Sequence, residues 1–462
     1  MPRFTLLLFT AFLATGCFQS SPSRELPEAF HEHLTSGAVD PTELREWCEG
    51  YWPDRLQVLT RRALTNNREL AAARANLRAA EASARAAGAT RIPSLDLEGS
   101  VRRSRQPFFA DVEEDVPVDF ETTVTRYRAG VAAQYEVDFW GRLGDEREAA
   151  ALEATASEED LRTARITLTA EVAERWFELL AQRQTSELLT AEVAASERTL
   201  ELVRLRFTQG QTQGLDVVQQ RQQTEALNGQ QILTQVEMPV LARELGVLLG
   251  EPPDPATRPG ADGDLPMPTP LPLAGIPANL LQLRPDLRAA GTRMAAADRQ
   301  AAAALAARLP AVVLSAQLFG ETENITDLFE TLFFDLLGSF NLVLLDGGRL
   351  RAEVDVADAQ ADAALAEYAQ TLLTALAEVG NALALEQSQR RYLASLGVQR
   401  DEAERAWRLA REGYVQGALD YLRVLGTQQT LFETERALID GRRQLLSFRL
   451  QACRALGHAP GA

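Results

Sequence analysis

The chain has 462 residues, a formal net charge of −18 and only 6% aromatic residues. The negative charge excludes broad nucleic-acid binding. Three histidines and three cysteines, without a CxxC or HExxH motif, leave little for a metal centre. No phosphate-binding glycine loop or catalytic constellation is present, so we predict neither an enzyme nor a cofactor. Abundant Ala, Leu, Glu, Arg and Gln favour long helices.

The amino terminus has the features of an export signal. Arg3 supplies a positive charge before the apolar run Phe4–Ala14. This run has the length of a signal-peptide core and is too short to span a bilayer. We therefore predict a cleaved signal peptide at residues 1–16.

The residues at the predicted cleavage site indicate a lipid anchor. Leu13-Ala14-Thr15-Gly16-Cys17 resembles a bacterial lipobox, with Ala14 where leucine is usual. We predict acylation of Cys17 and a lipid-anchored segment at residues 17–65; an ordinary signal peptide that happens to contain a cysteine is the alternative. Phe18 at the next position favours sorting to the outer membrane.

Two further cysteines would reach the oxidising compartment to which an export signal leads. Cys48 and Cys453 lie near opposite ends of the expected folded region, and chain ends often lie close together. One prediction is a disulfide between them; the other is a pair of buried free thiols.

Three sequence features recur in the same order. Pro93 in the first is matched by Pro310, an offset of 217 residues (310 − 93). Gly141-Arg142-Leu143 recurs as Gly348-Arg349-Leu350, and Phe207-Thr-Gln-Gly210 as Tyr414-Val-Gln-Gly417, both at an offset of 207. Ordered matches at nearly constant spacing predict an internal tandem duplication.

The duplication sets the predicted domain organisation. We expect a first repeat at residues 66–250, a proline-rich extended connector at 251–282, a second repeat at 283–457 and a short tail at 458–462. Each repeat is expected to contain a helix, two strands, a very long helix, a tight turn and a returning helix. The first helix, Asn66–Ala89, should end before a proline.

The predicted strands alternate with period two, as strands with one apolar and one polar face do. Ser94–Arg105 and Thr123–Phe139 carry the pattern in the first repeat, and residues 312–318 and 340–344 in the second. One face is apolar: Leu95, Leu97, Val131, Val137, Leu314 and Leu342. The other face is charged in the first repeat: Asp96, Glu98, Arg126, Arg128, Glu136 and Asp138.

The longest predicted helices are Asp145–Thr208 and Arg349–Glu412, which contain no proline. At 1.5 Å per residue each is roughly 95 Å long and must pack against other long helices. Glycine-containing turns at Gly210 and Gly417 should end them. Returning helices are expected from Leu215 and Leu422.

These residues resemble a known family. Tyr135–Arg142 (YEVDFWGR), Leu283–Leu287 (LRPDL) and Leu345–Leu350 (LDGGRL), with the two tip sequences, resemble the repeated signatures of TolC-like outer membrane factors. Trp47 with Trp52–Leu56 (WPDRL) resembles the amino-terminal signature of the lipidated multidrug-efflux branch. The resemblance runs from about Trp47 to Gly457.

The resemblance implies an α+β membrane protein in a homotrimer. Its four strands per chain would build a 12-stranded β-barrel in the outer membrane, continued by a long α-helical barrel in the periplasm. It would work with a periplasmic adaptor and an inner-membrane transporter, most often of the RND type. The number of strands also favours an oligomer, because a closed membrane barrel needs at least about eight strands and one chain offers four.

On this interpretation the apolar face contacts lipid and the charged face lines the pore. Some of the charges could instead lie on loops outside the membrane. The loops at residues 106–122 and 321–334 are expected to face outward.

The gate is expected at the helix tips. The resemblance points to Asp216 and Arg423 as constricting residues, and we hypothesise that Asp216 pairs with Arg423 or hydrogen-bonds Tyr414. Solvated surface charges are the alternative. Gly210 and Gly417 are candidate adaptor contacts, unless they serve only the turn geometry.

Two other functions compete with an efflux channel. One is a protein-secretion conduit, and the other is a lipid-anchored periplasmic helical scaffold without a pore. The scaffold leaves the two matched amphipathic hairpins unexplained.

Overall fold

The computed structural model describes residues 41–109, 119–252, 263–270, 279 and 283–458. The predicted signal peptide and its Cys17, most of the connector and most of the tail lie outside the described residues. No helix within the described ranges is long and apolar enough to cross a membrane.

The helices and strands follow one another in the predicted order. They are α1 (Pro41–Glu49), α2 (Asp54–Asn66), α3 (Arg68–Ala89), β1 (Ser94–Phe109), β2 (Asp119–Val137), α4 (Arg142–Thr208), α5 (Gly214–Leu248), α6 (Pro285–Ala306), β3 (Ala311–Thr322), β4 (Leu332–Asn341), α7 (Arg349–Val415) and α8 (Tyr421–Ala455). The helix predicted at Asn66–Ala89 begins at Arg68, because Asn67 separates it from the preceding helix α2. The Asn67 Oδ1 atom caps the new helix by accepting from the Leu70 N–H at 2.9 Å.

The two halves of the chain have matching elements. Helices of 22, 67 and 35 residues occur in that order in each half. Glycines with positive φ adjoin the long and returning helices at positions 207 residues apart: Gly141 and Gly348, Gly210 and Gly417, Gly250 and Gly457. Left-handed backbone strongly favours glycine, so these matches support a tandem duplication, which remains a prediction.

The described chain divides into two compact units. The first contains the described part of residues 78–156, and residues 290–368, and with them the four strands of the described chain. The second contains residues 41–77, the described part of 157–289, and 369–458. Its main core is apolar and aromatic, with Trp176 2% and Phe177 1% exposed.

The strands of the first unit form one antiparallel sheet in the order β1-β2-β3-β4. Strands β1 and β4 are its two edges. The long β1 and β2 narrow the first predicted loop to residues 110–118, which lie outside the described part. The second predicted loop, 321–334, is wrong at both ends, because β3 extends to Thr322 and β4 begins at Leu332.

A disulfide joins the first and last helices of the second unit. Cys48 on α1 is bonded to Cys453 on α8, with their Cα atoms 6.0 Å apart. The sequence left open a disulfide or two buried free thiols, and the structure contains the disulfide. Both cysteines are fully buried, so the linkage is part of the core.

Candidate functional site

The sheet has one apolar face, as the alternation predicts. In the antiparallel register Leu95 lies opposite Ala133, and Leu97 lies opposite Val131. Leu97 is 85% exposed in the single chain, which is unusual for a leucine in a strand and indicates a surface made for an apolar environment. Leu342 does not belong to this face, because it follows the end of β4 at Asn341.

The register places five of the six predicted pore residues on the opposite face: Asp96, Glu98, Arg126, Arg128 and Glu136. Arg126 reaches Glu321 at 3.5 Å. The Arg128 guanidinium lies 3.7 Å above the Phe319 ring and donates to Gln317 Oε1 at 2.8 Å. These two contacts fix the plane of the Arg128 guanidinium on the polar face.

An aromatic pair on the polar face was missed by the sequence analysis. The rings of Phe319 and Phe333 stack with their centroids 5.5 Å apart. Phe319 lies over Gly130, where a Cβ would approach the Phe319 Cβ to 2.4 Å. The signal was available, because glycine inside a strand often marks a close approach.

The prediction that Asp138 lies on the charged face of the sheet is wrong. It lies beyond the end of β2 at Val137, and its carboxylate accepts from the N–H groups of Leu143 at 3.2 Å and Gly144 at 2.8 Å. It therefore caps the start of α4 and does not line the sheet. Asp346 does the same for α7, and hydrogen bonds from Leu350 and Gly348 lower the pKa of Asp346.

The two tip turns share one geometry. Gly210 has a φ of +70° and Gly417 a φ of +77°. In each, the glycine N–H donates three residues back, to Phe207 or to Tyr414, at 3.0 Å, and the next residue donates five back. This is a Schellman cap, which satisfies carbonyls at a helix end and favours glycine. Turn geometry alone thus explains both glycines, and the adaptor contact remains a proposal.

The hypothesised pairing of Asp216 is not formed within the chain. Its carboxylate accepts from the Thr212 hydroxyl and from the Gln213 N–H at 3.3 Å, as a capping box at the start of α5. The buried Tyr414 hydroxyl has no hydrogen-bond partner among the described residues. Arg423 is exposed, and its N–H is held by the N-cap Asp420 at 3.0 Å.

A buried polar network behind the tips was also missed. The Tyr421 hydroxyl donates to Gln220 Oε1, and Gln220 Nε2 donates to the Ser196 carbonyl at 2.9 Å. The hydroxyls of Ser196 and Thr224 lie 2.9 Å apart. Burial raises the pKa of Tyr421, and the charge of nearby Asp216 raises it further. The network ties α8 to α4 and α5, the helices of the other tip.

A second buried contact ties α8 to α4 further along the helices. Glu192 is 1% exposed and bonds Arg436 through one carboxylate oxygen, while the other has no partner among the described residues. Burial raises the pKa of Glu192 to about 7; Arg436 opposes this shift and Glu435 adds to it. No local pattern in the sequence marks these residues.

Comparison with known proteins gives a consistent result. A family model described as outer membrane efflux protein matches residues 59–251 and 276–458. The pyoverdine export outer membrane protein OpmQ of Pseudomonas aeruginosa is 32% identical, over 99% of this chain and 96% of that protein. The solvent efflux pump outer membrane protein SrpC of Pseudomonas putida is 29% identical, over 86% and 83%.

The fold has a solved counterpart. The crystal structure of the outer membrane protein VceC from Vibrio cholerae matches with a TM-score of 0.81 at 27% identity, covering 90% of this chain and 99% of that chain. The two matched segments of the family model coincide closely with the two halves described above, and the match extends over both compact units.

Proposed function

This chain belongs to the outer membrane efflux protein family, and we propose that it does its work as a homotrimer whose chains share one barrel. It is an outer-membrane efflux channel that extends into the periplasm. Its chemistry is passage of solutes and not reaction, so the energy must come from a partner. Family membership sets aside the scaffold without a pore.

The open sheet is the observation that carries the trimer. Strands β1 and β4 are unpaired edges in the single chain, and backbone groups without partners are very costly in lipid. Four strands cannot close on themselves, whereas three copies supply twelve. Pairing β4 of each copy with β1 of the next would leave no edge, with the apolar face outward and the charged face toward the lumen.

The same membership supports two general kinds of partner, an adaptor and an inner-membrane transporter. We propose a periplasmic adaptor docking at the tips near Gly210 and Gly417, and an inner-membrane transporter of the RND type that supplies the energy. Cys17 is proposed as the acylated anchor. The cargo is proposed to be a small solute, in keeping with relatives named for pyoverdine and solvent export.

The mass of the detergent-extracted mature protein, measured by light scattering corrected for bound detergent, tests the trimer. We expect three chains, and single-channel conductance after reconstitution into planar bilayers. A stable monomer without conductance would contradict the proposal, because four strands cannot enclose a pore.

We further propose that the tips hold the resting channel closed. Since Asp216 and Arg423 do not meet within one chain, they are proposed to meet between neighbouring copies, close to the buried Tyr414. An exposed pair contributes only about 0–1 kcal/mol, so adaptor docking would be enough to separate it. The network around Tyr421 would keep the two tips of one chain moving together.

Two substitutions at Asp216 separate charge from capping. Asp216→Asn keeps an oxygen for the Gln213 N–H but removes the charge, so we expect higher conductance and greater antibiotic leak into cells. Asp216→Ala also removes the carboxylate that accepts from the N-cap N–H of Gln213 in the capping box. Asp420→Asn, at the cap of the other returning helix, is the matched control. Leak in the alanine variant alone would mean that Asp216 only caps.

A further inference from the structure

The apolar face of the sheet ends at a definite row. On β2 this face runs from Val137 to Tyr127 without a charged residue. Ten steps of about 3.4 Å are about 34 Å along the strand. A strand tilt of about 40° projects this to roughly 26 Å, close to the ~25 Å apolar band of outer-membrane barrels. Val101 on β1, 67% exposed, lies opposite Tyr127 in the last apolar row.

Arginines follow immediately on this same face. Continuing outward along β1, the next two residues of the apolar face are Arg103 and Arg105, opposite Thr125 and Thr123 on β2. Each guanidinium thus has a threonine beside it on the neighbouring strand. Arg103 is exposed and makes no hydrogen bond or ion pair with any residue that the structure describes, whereas Arg105 already has a partner of its own. Its neighbour Arg102 belongs to the opposite, charged face.

The direction of the strand fixes which side of the membrane these rows meet. Strand β1 begins at Ser94, shortly after helix α3 ends at Ala89, and runs toward residues 110–118. In a channel whose helices extend into the periplasm, the Arg103 row lies at the outer leaflet. A cation on the lipid side of a barrel is costly at the midplane and nearly free at the interface.

We propose that the Arg103–Thr125 row binds the phosphorylated headgroup of an outer-leaflet lipid, such as lipid A. Guanidinium groups bind phosphate with two parallel N–H donors, and the threonine hydroxyl adds a donor. The inference rests on the proposed barrel, because only there does this face meet lipid. Such contacts would hold the barrel at a fixed depth.

A titration of the purified full-length protein in detergent with fluorescent lipid A tests the proposal. Each arginine near an anionic surface contributes about a factor of five in affinity. We therefore expect Arg103→Gln to weaken binding about fivefold. Arg102→Gln, the adjacent arginine on the opposite face, should leave the affinity unchanged.

Two further arms identify the ligand chemistry. Dephosphorylated lipid A should bind the wild type and Arg103→Gln equally weakly. Inorganic phosphate at the concentration of the bound lipid should not displace lipid A, since the acyl chains add affinity. Displacement by phosphate would overturn the assignment to a lipid, and so would an unchanged affinity in Arg103→Gln or an equal loss in Arg102→Gln.

The outcome is independent of the channel itself. Arg103→Gln should retain the mass of three chains and the wild-type conductance while losing lipid A. If the wild type were monomeric and without conductance, the proposed function would fail. If trimers conduct and Arg103→Gln binds lipid A normally, only the headgroup site is wrong.

Discussion

Replacing Glu386 by leucine should lower the free energy of unfolding by about 3–5 kcal/mol, because it leaves a buried guanidinium without its counter-charge. Glu386 on α7 is 1% exposed and Arg449 on α8 is fully buried. The Arg449 Nε atom lies 3.1 Å from each oxygen of the Glu386 carboxylate. Arg390, more exposed, adds a contact to the same carboxylate at 2.9 Å.

The other surroundings of Arg449 cannot replace the carboxylate. Its guanidinium carbon lies 3.7 Å from the ring of Trp47, and one N–H group donates to the carbonyl of Thr269. The ring and the carbonyl stabilise a cation but carry no full negative charge. Burial lowers the pKa of Arg449, although an arginine remains protonated in proteins. The loss of Glu386 therefore leaves an uncompensated charge.

Urea-induced unfolding of the purified protein, followed by tryptophan fluorescence, measures this loss. Glu353→Leu on the same helix is the matched control: its Arg349 contact is solvent-exposed, so we expect a change below about 1 kcal/mol. Replacing Arg449 by methionine together with Glu386→Leu should recover most of the loss, since no buried charge remains. A loss below about 1 kcal/mol in Glu386→Leu would contradict the prediction.

The elements that could be predicted from the sequence are those fixed by local patterns. Alternation along β2 places each side chain on its face, because a strand repeats every two residues. The ends of the long helices could be predicted from Gly210 and Gly417, because the left-handed cap strongly favours glycine. These signals need no knowledge of distant parts of the chain.

The sequence-based strand predictions fail in two situations. Either the alternation of apolar and polar residues continues beyond the end of the strand, or consecutive residues are all apolar and do not alternate. Asp138 continues the alternation of β2, but the strand has already ended at Val137. The Asp138 carboxylate instead accepts a hydrogen bond from the Gly144 N–H at the start of α4. Strand β4 has apolar residues on both faces, such as Phe333 and Phe334. Leu332-Phe333-Phe334 and Leu336-Leu337 carry no period, so the first residue of β4 could not be predicted, although Phe340 does lie on its predicted apolar face.

The candidate gate shows a third limit. Asp216, Tyr414 and Arg423 occupy similar places in two similar turns, and this similarity alone predicts that they form one site. Equivalent positions in a repeat are not thereby close in space, and contacts between them depend on tertiary packing. The local signal was present: Asp216 stands three residues after the N-cap Gln213, the spacing of a capping box. Nothing local marks the partners Gln220 and Tyr421.

Replacing Cys48 and Cys453 together by alanine should cost about 2–5 kcal/mol of unfolding free energy. The disulfide closes a loop with a sequence separation of 405 residues, and the entropy removed from the unfolded chain grows with loop length. Alanine is preferable to serine here, since a buried hydroxyl without a partner would add its own cost.

Reduction provides the internal control for this prediction. Dithiothreitol should lower the urea midpoint of the wild type to that of the double alanine variant and leave the variant unchanged. A variant as stable as the oxidised wild type would show that the bond contributes nothing to stability. Limited proteolysis should also cut the variant first near α1, because the variant lacks the covalent bond from α1 to α8 and local opening precedes global unfolding.

The disulfide and the buried ion pair should also be coupled. The ion pair joins α7 to α8, and the guanidinium of Arg449 also contacts Trp47 on α1. Trp47 precedes Cys48, and Arg449 lies one turn before Cys453, so this ring contact and the disulfide hold α1 against α8. Once α1 is released, Trp47 leaves the guanidinium, and water can reach Arg449. Combining Glu386→Leu with the two alanines should therefore cost less than the sum of the separate losses, by about 0.5–3 kcal/mol. Strictly additive losses would contradict this coupling. The same contacts bear on the proposed lipid anchor at Cys17. Helix α1 is the described helix nearest to Cys17 in sequence, so its contacts with α8 would transmit a force exerted on the anchor by the membrane to α8.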